Sequence, residues 1–463
     1  MGLKFHIIFT VLYLIGVQCV AQDNVIIEIG SIIVEGDKIT HKPIIMRELE
    51  FAEGELISEK ELNEKIVRSR QNLLNRSLFN FVTITKNCNN GVCNIVVSVI
   101  ERWYIWPVPL LEYADRNINI WWENKDWSRI NFGVDLRVEN FRGRMETLNI
   151  IIKGGYDQMY KLKWQIPYLT KNQIFGMGFE GGYQLNHEIA YASEDNRYLY
   201  YKTEDGYARK QGFASANLTF RPKFNFLHQI GLGFNHINIA DSILFYNPNY
   251  TYGETEYNFF TINYTYKHDF RDYKPYPLKG YYFDIQILKI GLGILSKEVN
   301  EFSFRVNIDH YFNIWKRINF AYGLSGGVTF TDNFQPYFLA GGIGLYGFDV
   351  RGYELYLING QNTGLLKTNL KFTLIPKTNV DIKWIKTEKF GKLFYALFAN
   401  IFFDMGYSQD KYWYENNPLN NQLLWGTGVG IDFVTYYDMV LRMEYTLNKQ
   451  GRTGFYISMV API

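Results

Sequence analysis

Residues 130–168 read INFGVDLRVENFRGRMETLNIIIKGGYDQMYKLKWQIPY, and their alternation decides the fold. Three runs, Ile130–Val138, Thr147–Gly155 and Tyr160–Tyr168, place apolar side chains at every second position. Side chains of a strand point alternately to its two faces, whereas a helix repeats after about 3.6 residues, so each run reads as a strand with one apolar face. Asn140-Phe141-Arg142-Gly143 supplies a short turn between the first two.

Outward from there the pattern continues in both directions. Ile105–Tyr113 precedes it and Ile174–Leu185 follows, and the count from Trp103 to Phe455–Ala461 reaches about sixteen strands, an even number as expected of a bacterial outer-membrane barrel. Long polar connections (Ala114–Arg129, Ala190–Arg209, Asp241–Glu256, Thr331–Leu365, Ser408–Asn421) fall after odd strands. Short turns such as Pro222-Lys223 fall after even ones. Long loops on one side and short turns on the other define such a barrel. Lys377–Lys392, a charged stretch on the short-turn side, is expected to be a solvated turn. Residues 103–463 are therefore expected to form an all-β transmembrane barrel in the outer membrane of a Gram-negative cell.

Composition agrees with that reading. Hydrophobic residues make up 47% of the 463, yet mean hydropathy is −0.18 and no apolar run beyond the N-terminus is long enough for a membrane-crossing helix. Aromatic content is 17%, with 36 Tyr and 35 Phe, as suits side chains set between lipid and headgroups. Lys and Arg total 48 against 46 Asp and Glu, so the net charge of +2 gives no electrostatic case for nucleic acid.

Met1–Ala21 reads as a secretory signal: Lys4, an apolar stretch from Phe5 to Val20, then Ala21 before Gln22. Gly16, Val17 and Gln18 make a poor lipobox before Cys19. Residues 22–102 mix strand and helix periods and form a separate domain of order β-α-α-β-β. In it Thr40 is expected to cap a short helix through Glu48, and Ser58 with Glu61 to form a capping box for a second, whose apolar stripe is Leu62, Ile66, Leu73 and Leu74. Phe81–Thr85 and Asn94–Ile100 then make a hairpin around Asn-Asn-Gly-Val, which Cys88 and Cys93 flank. In an oxidising compartment these two can pair across the strands; two free thiols are the other reading. With no histidine nearby they cannot complete a tetrahedral metal shell.

Enzyme motifs occur only by letter. Gly323-Leu324-Ser325-Gly326-Gly327 matches G-x-S-x-G, but Ser325 lies inside an alternating strand and not at a strand-to-helix turn. Gly342-Ile343-Gly344-Leu345-Tyr346-Gly347 matches G-x-G-x-x-G, yet no helix follows to meet a phosphate. His187, His228, His268 and His310 suggest no shared ligand set. No catalytic residue, metal or cofactor is expected, although a barrel hydrolase using Ser325 or another strand serine stays open, as does a passive pore.

The longest loop, Thr331–Leu365, carries Arg351 among glycine and apolar residues, and Asp404 interrupts the apolar run Ile401–Met405. The residues alone leave two readings: an exposed loop arginine, or one folded into a water-filled lumen with Asp404 as its partner.

Gly347-Phe348-Asp349-Val350-Arg351-Gly352-Tyr353 resembles the VRGY/VRGF loop motif of the outer-membrane assembly and translocation barrels with POTRA domains, the group containing the BAM central subunit, TamA and the two-partner secretion transporters. Phe402-Phe403-Asp404-Met405-Gly406 resembles that group's FxDxG strand motif, Glu139–Gly143 and Pro277–Gly280 match further turns, and the N-terminal module resembles a POTRA domain. The group's BAM member has several POTRA domains, and this chain has room for one. The resemblance implies that the motif Val350, Arg351, Gly352 and Tyr353 tucks inward and that Arg351 pairs with Asp404. It also implies a non-enzymatic machine that assembles, inserts or translocates protein, with the POTRA domain in the periplasm; the expected route is strand addition, at the POTRA edge and at an opening seam between the first and last barrel strands. Expected partners are outer-membrane lipid, client outer-membrane or secreted proteins, and periplasmic or lipoprotein accessory subunits.

Overall fold

The computed structural model describes residues 26–113, 129–332, 334–345 and 347–460. The signal stretch, Cys19, residues 114–128 and Pro462 lie outside the described residues.

The N-terminal domain comprises β1 (Ile26–Glu35), α1 (Lys42–Met46), β2 (Leu56–Ser58), α2 (Glu59–Leu74), β3 (Phe79–Asn89) and β4 (Val92–Glu101). Its sheet runs β2-β1-β4-β3, with β1 parallel to β4. At α2, Ser58 Oγ accepts from the Glu61 amide at 3.2 Å, while Leu62 and Leu73 are buried in the domain core. Asn90 and Gly91, both at positive φ, close the β3–β4 hairpin, and a disulfide joins Cys88 to Cys93, whose Cα atoms are 4.0 Å apart.

Two expectations for this domain need correction. An extra strand, β2, makes the order β-α-β-α-β-β; at three residues it is too short to show a period. Thr40 does not cap α1, which starts from His41 with Pro43 in its first turn; Thr40 is buried, within 3.2 Å of the Tyr104 hydroxyl and accepting from Asn140 Nδ2 at 2.8 Å.

The second part of the chain supplies β5 (Ile105–Tyr113), β6 (Ile130–Phe141), β7 (Glu146–Gly155), β8 (Gln158–Ile166), β9 (Phe175–Asn186), β10 (Glu188–Glu194), β11 (Arg197–Lys202) and β12 (Arg209–Phe220). It continues with β13 (Phe226–Ile239), α3 (Ser242–Tyr246), β14 (Glu256–Asp269), β15 (Gly280–Ile290), β16 (Glu301–Trp315), β17 (Ile318–Thr331), β18 (Gly342–Ile343) and β19 (Ile358–Asn359). The last elements are β20 (Asn362–Asp381), α4 (Glu388–Gly391), β21 (Lys392–Gln409), β22 (Leu424–Thr435), β23 (Val440–Asn448) and β24 (Thr453–Val460).

Sixteen of these strands form one antiparallel sheet from β5 to β24, with β10–β11 and β18–β19 set apart as two small pairs. The sheet's two end strands are β5 and β24, and no ladder joins them among the described residues. Along β21, Ile401 on the outer face is 59% exposed and Asp404 on the inner face is wholly buried. An apolar exterior around a charged interior is the arrangement a lipid-embedded barrel requires. No helix of the described residues is long and apolar enough to cross a membrane.

Connections differ in detail from the sequence reading. The Ala190–Arg209 stretch holds most of the β10–β11 hairpin, and the long loop is shorter than expected because β20 already starts at Asn362. Lys377–Lys392 is not merely a solvated turn: β20 runs into it as far as Asp381, and α4 sits near its end, just before β21, where Phe390 meets Trp103 with ring centroids 6.1 Å apart.

The N-terminal domain is clamped against the short-turn end of the barrel by two buried ionic clusters. In the first, Glu48 is fully buried; Arg221, from the β12–β13 turn, donates to it at 2.8 Å, Arg76 lies at 3.1 Å and the Tyr168 hydroxyl at 3.2 Å. Burial alone would raise the Glu48 carboxyl, but the guanidiniums of Arg76 and Arg221 outweigh it and hold it at about 2. In the second, Asp438 in the β22–β23 turn accepts from Arg102 at 2.6 and 3.0 Å, from Ser77 Oγ at 2.8 Å and from Tyr273 Oη at 2.6 Å.

Candidate functional site

The connection between β17 and β20 folds back against the inner wall of the barrel. Val350 is buried in a cluster with Ile343, Phe348, Tyr353, Ile358, Leu365 and Leu424, so apolar packing brings the loop tip to the wall. Arg351 then meets Asp404. Its Nε and Nη2 each donate to the carboxylate at 2.7 Å, and its backbone amide donates at 3.3 Å. The planar fork of the guanidinium fits the carboxylate at two points, and its central carbon lies 3.7 Å from the Phe402 ring centroid. Nη1 donates to Glu444 at 3.2 Å and Nη2 to the Thr368 carbonyl at 3.2 Å.

The backbone must come close for this contact, and two glycines allow it. Gly352 sits at φ +91°, which disfavours any side chain, and its carbonyl accepts from Asn448 Nδ2 at 2.8 Å. On β22, a Cβ at Gly426 would stand 1.9 Å from the Arg351 carbonyl oxygen. Tyr353, almost wholly buried, donates to the Trp425 carbonyl at 3.4 Å.

The ionic contacts continue beyond the pair. Glu444 lies 3.9 Å from Arg442, which donates to Asp432 at 2.8 Å, and Tyr276 Oη donates to the other Asp432 oxygen at 2.7 Å. Tyr276 belongs to the β14–β15 turn at the opposite end of the barrel, where its ring packs on Phe398 and lies under the Lys371 ammonium. The lumen is thus entered from both ends, and both intrusions fasten to β21–β23. Sequence reasoning missed Glu444, Arg442, Asp432 and Tyr276. The signal was present for the first three, since charges alternate with Leu441, Met443 and Tyr445 on β23 and with Ile431 and Phe433 on β22.

The other candidates are not brought together. Ser325 lies inside β17, opposite Asn307 and Leu365, and no hydrogen bond links it to a histidine among the described residues. Gly342 and Ile343 form β18, and among the described residues the next element is a strand, β19, and not a helix. Among the described residues no group of three or more His, Cys, Asp or Glu side chains is placed to hold a metal ion.

The family described as the Omp85 superfamily domain matches residues 140–459, and a POTRA family, described as the surface antigen variable number repeat, matches residues 27–102. No curated protein sequence resembles the chain significantly. Among solved structures, BamA from Haemophilus ducreyi lacking POTRA domains 1–3 superimposes with a TM-score of 0.51 at 14% identity, over 94% of this chain and 84% of that one. CdiB from Escherichia coli superimposes with a TM-score of 0.54 at 12% identity, over 94% of this chain and 75% of that one. The superpositions show a shared fold and, at these identities, the fold alone. The chain belongs to the Omp85 superfamily, as an outer-membrane barrel with a POTRA domain on the periplasmic side.

Proposed function

We propose that this chain assembles, inserts or translocates client proteins by strand templating: the POTRA edge offers backbone groups to an extended segment, and the seam between β5 and β24 opens to pair with client strands. The observation that carries this is the sheet's two end strands, which no ladder joins among the described residues, set beside strands β21–β23 to which both lumenal intrusions are fastened. In this reading Val350, Arg351, Gly352 and Tyr353 with Asp404 fix the loop and keep the wall next to the seam in register. Residues 1–21 are the export signal of a Gram-negative protein, 22–102 the periplasmic POTRA domain and 103–463 the barrel. Partners are client proteins, surrounding lipid and periplasmic or lipoprotein accessory subunits, and the chain itself is not an enzyme. A passive pore is disfavoured by a lumen occupied from both ends.

The test is a reversible lock. Cysteines placed on β5 and β24 close the seam when oxidised, and quantitative mass spectrometry follows outer-membrane and secreted proteins. Depletion of a defined set of them on oxidation, recovering on reduction, is the expected result. An unchanged protein profile together with steady ion conductance would favour the pore.

A further inference from the structure

On the long-loop side of the barrel a cavity of about 270 Å³ lies where the β10–β11 hairpin rests against the base of the inward loop. Tyr198, Tyr200, Tyr250 and Tyr337 line it. Tyr250 and Tyr337 are almost wholly buried and therefore fixed, whereas Tyr200 is 46% exposed and marks the mouth. Asn359 Nδ2 and the Tyr337 hydroxyl on the lining have no hydrogen-bond partner among the described residues, and Arg209 has no carboxylate one. Asn359 is 1% exposed; its Oδ1 accepts from Ser193 Oγ at 2.9 Å, and its Nδ2 has no acceptor among the described residues. Turning the amide over would leave the oxygen unpaired, so one end is unsatisfied either way. Arg209 donates only to the Asn186 amide oxygen, at 3.1 and 3.4 Å, and has no carboxylate partner among the described residues. The one acid on the lining, Glu188, is already held by Arg129 at 2.8 Å and by the Tyr156 hydroxyl at 3.2 Å.

A buried amide end without a partner is rare in a folded protein and calls for water or a ligand oxygen. The partly exposed Arg209 guanidinium, with no carboxylate partner among the described residues, is free to pair with an oxyanion. The tyrosine rings add flat apolar faces with hydroxyl tips, suited to a body that is apolar on its faces and polar at its edge. An amino acid would bring an ammonium group for which no free carboxylate remains. A pyranose bearing a carboxylate meets every demand: its C–H faces stack on the rings, its oxygens accept from Asn359, and its carboxylate pairs with Arg209.

We propose that this cavity is a cell-surface site for an acidic sugar, with Arg209 reading the carboxylate, Asn359 a ring or hydroxyl oxygen, and Tyr200 closing the mouth. The site stands apart from the seam and the Arg351–Asp404 contact and does not depend on the assembly reading.

Saturation-transfer NMR on the detergent-solubilised full chain, with glucuronate, glucose, glycine and acetate as probes, tests it. Glucuronate should bind at least ten-fold more tightly than glucose, and glycine and acetate should give no transfer. Arg209→Gln should remove the preference for glucuronate, and Tyr200→Ala should weaken both sugars; both variants change side chains at or near the surface, and heat-modifiable migration on gels verifies the barrel in each. Equal binding of glucuronate and glucose, transfer from glycine alone, full glucuronate binding by Arg209→Gln, or no transfer from any probe would each overturn the proposal.

Discussion

Arg351 and Asp404 differ in what each leaves behind when removed. Without Arg351, the buried Asp404 carboxylate has no other ion-pair partner among the described residues; without Asp404, Arg351 still has Glu444 at 3.2 Å. Arg351→Ala should therefore weaken loop anchoring by about 1–3 kcal/mol and Asp404→Ala by less, with the double variant no worse than Arg351→Ala. Protease access to residues 331–361 checks this, and strictly additive losses would refute the shared contact. Gly426→Ala removes no charge yet should release the loop, because its new Cβ would stand 1.9 Å from the Arg351 carbonyl oxygen; overpacking of that kind costs about 1–3 kcal/mol. Susceptibility like that of Arg351→Ala is the expected outcome, and wild-type resistance would show that the loop backbone sits farther from β22. The residues alone offered the Arg351–Asp404 contact as one of two readings, since a lone loop arginine has no period, and the motif resemblance chose between them. The need for glycine at 426 was not legible at all, because it depends on which strand lies opposite.

At the scale of elements, what the sequence conceals is contact between parts far apart in the chain. The strands themselves were readable from alternation, but the clamp of Glu48 by Arg221 spans 173 residues and nothing local marks it. The same holds for Tyr276, which reads as an ordinary turn residue. Glu48 makes the clamp testable by pH. Its carboxyl sits at about 2 in the docked state, below the ordinary value of about 4.3, so its contribution is complete above the ordinary value and is lost as pH falls through the docked one. Spin-label distances between the POTRA domain and the barrel should stay fixed from neutral pH to about pH 4 and spread as pH approaches 2. Glu48→Gln leaves buried arginines unanswered and should cost about 3–5 kcal/mol of docking at neutral pH. An unchanged distance distribution in that variant would show that the Asp438 cluster alone holds the domain.

For the molecule as a whole, fold class came through the sequence because a period of two, sustained run after run, suits little besides a large antiparallel sheet, and the loop-length asymmetry gave the orientation. The seam was expected between the first and last strands, and β5 and β24 do stand at the two ends of the sheet. A closed barrel satisfies its own backbone, so removing residues 24–101 should leave a heat-modifiable barrel in detergent while abolishing function in cells; a barrel that fails to fold without them would make the POTRA contacts part of its core. The central claim, that client chains pair at the seam, is tested most directly by photocrosslinking in living cells. A photoreactive side chain at Ile457 on β24 is compared with one at Leu232 on β13, both outward-facing and more than half exposed. The account predicts adducts between Ile457 and other outer-membrane or secreted proteins, with none at Leu232. Adducts with lipid alone at both positions would contradict it.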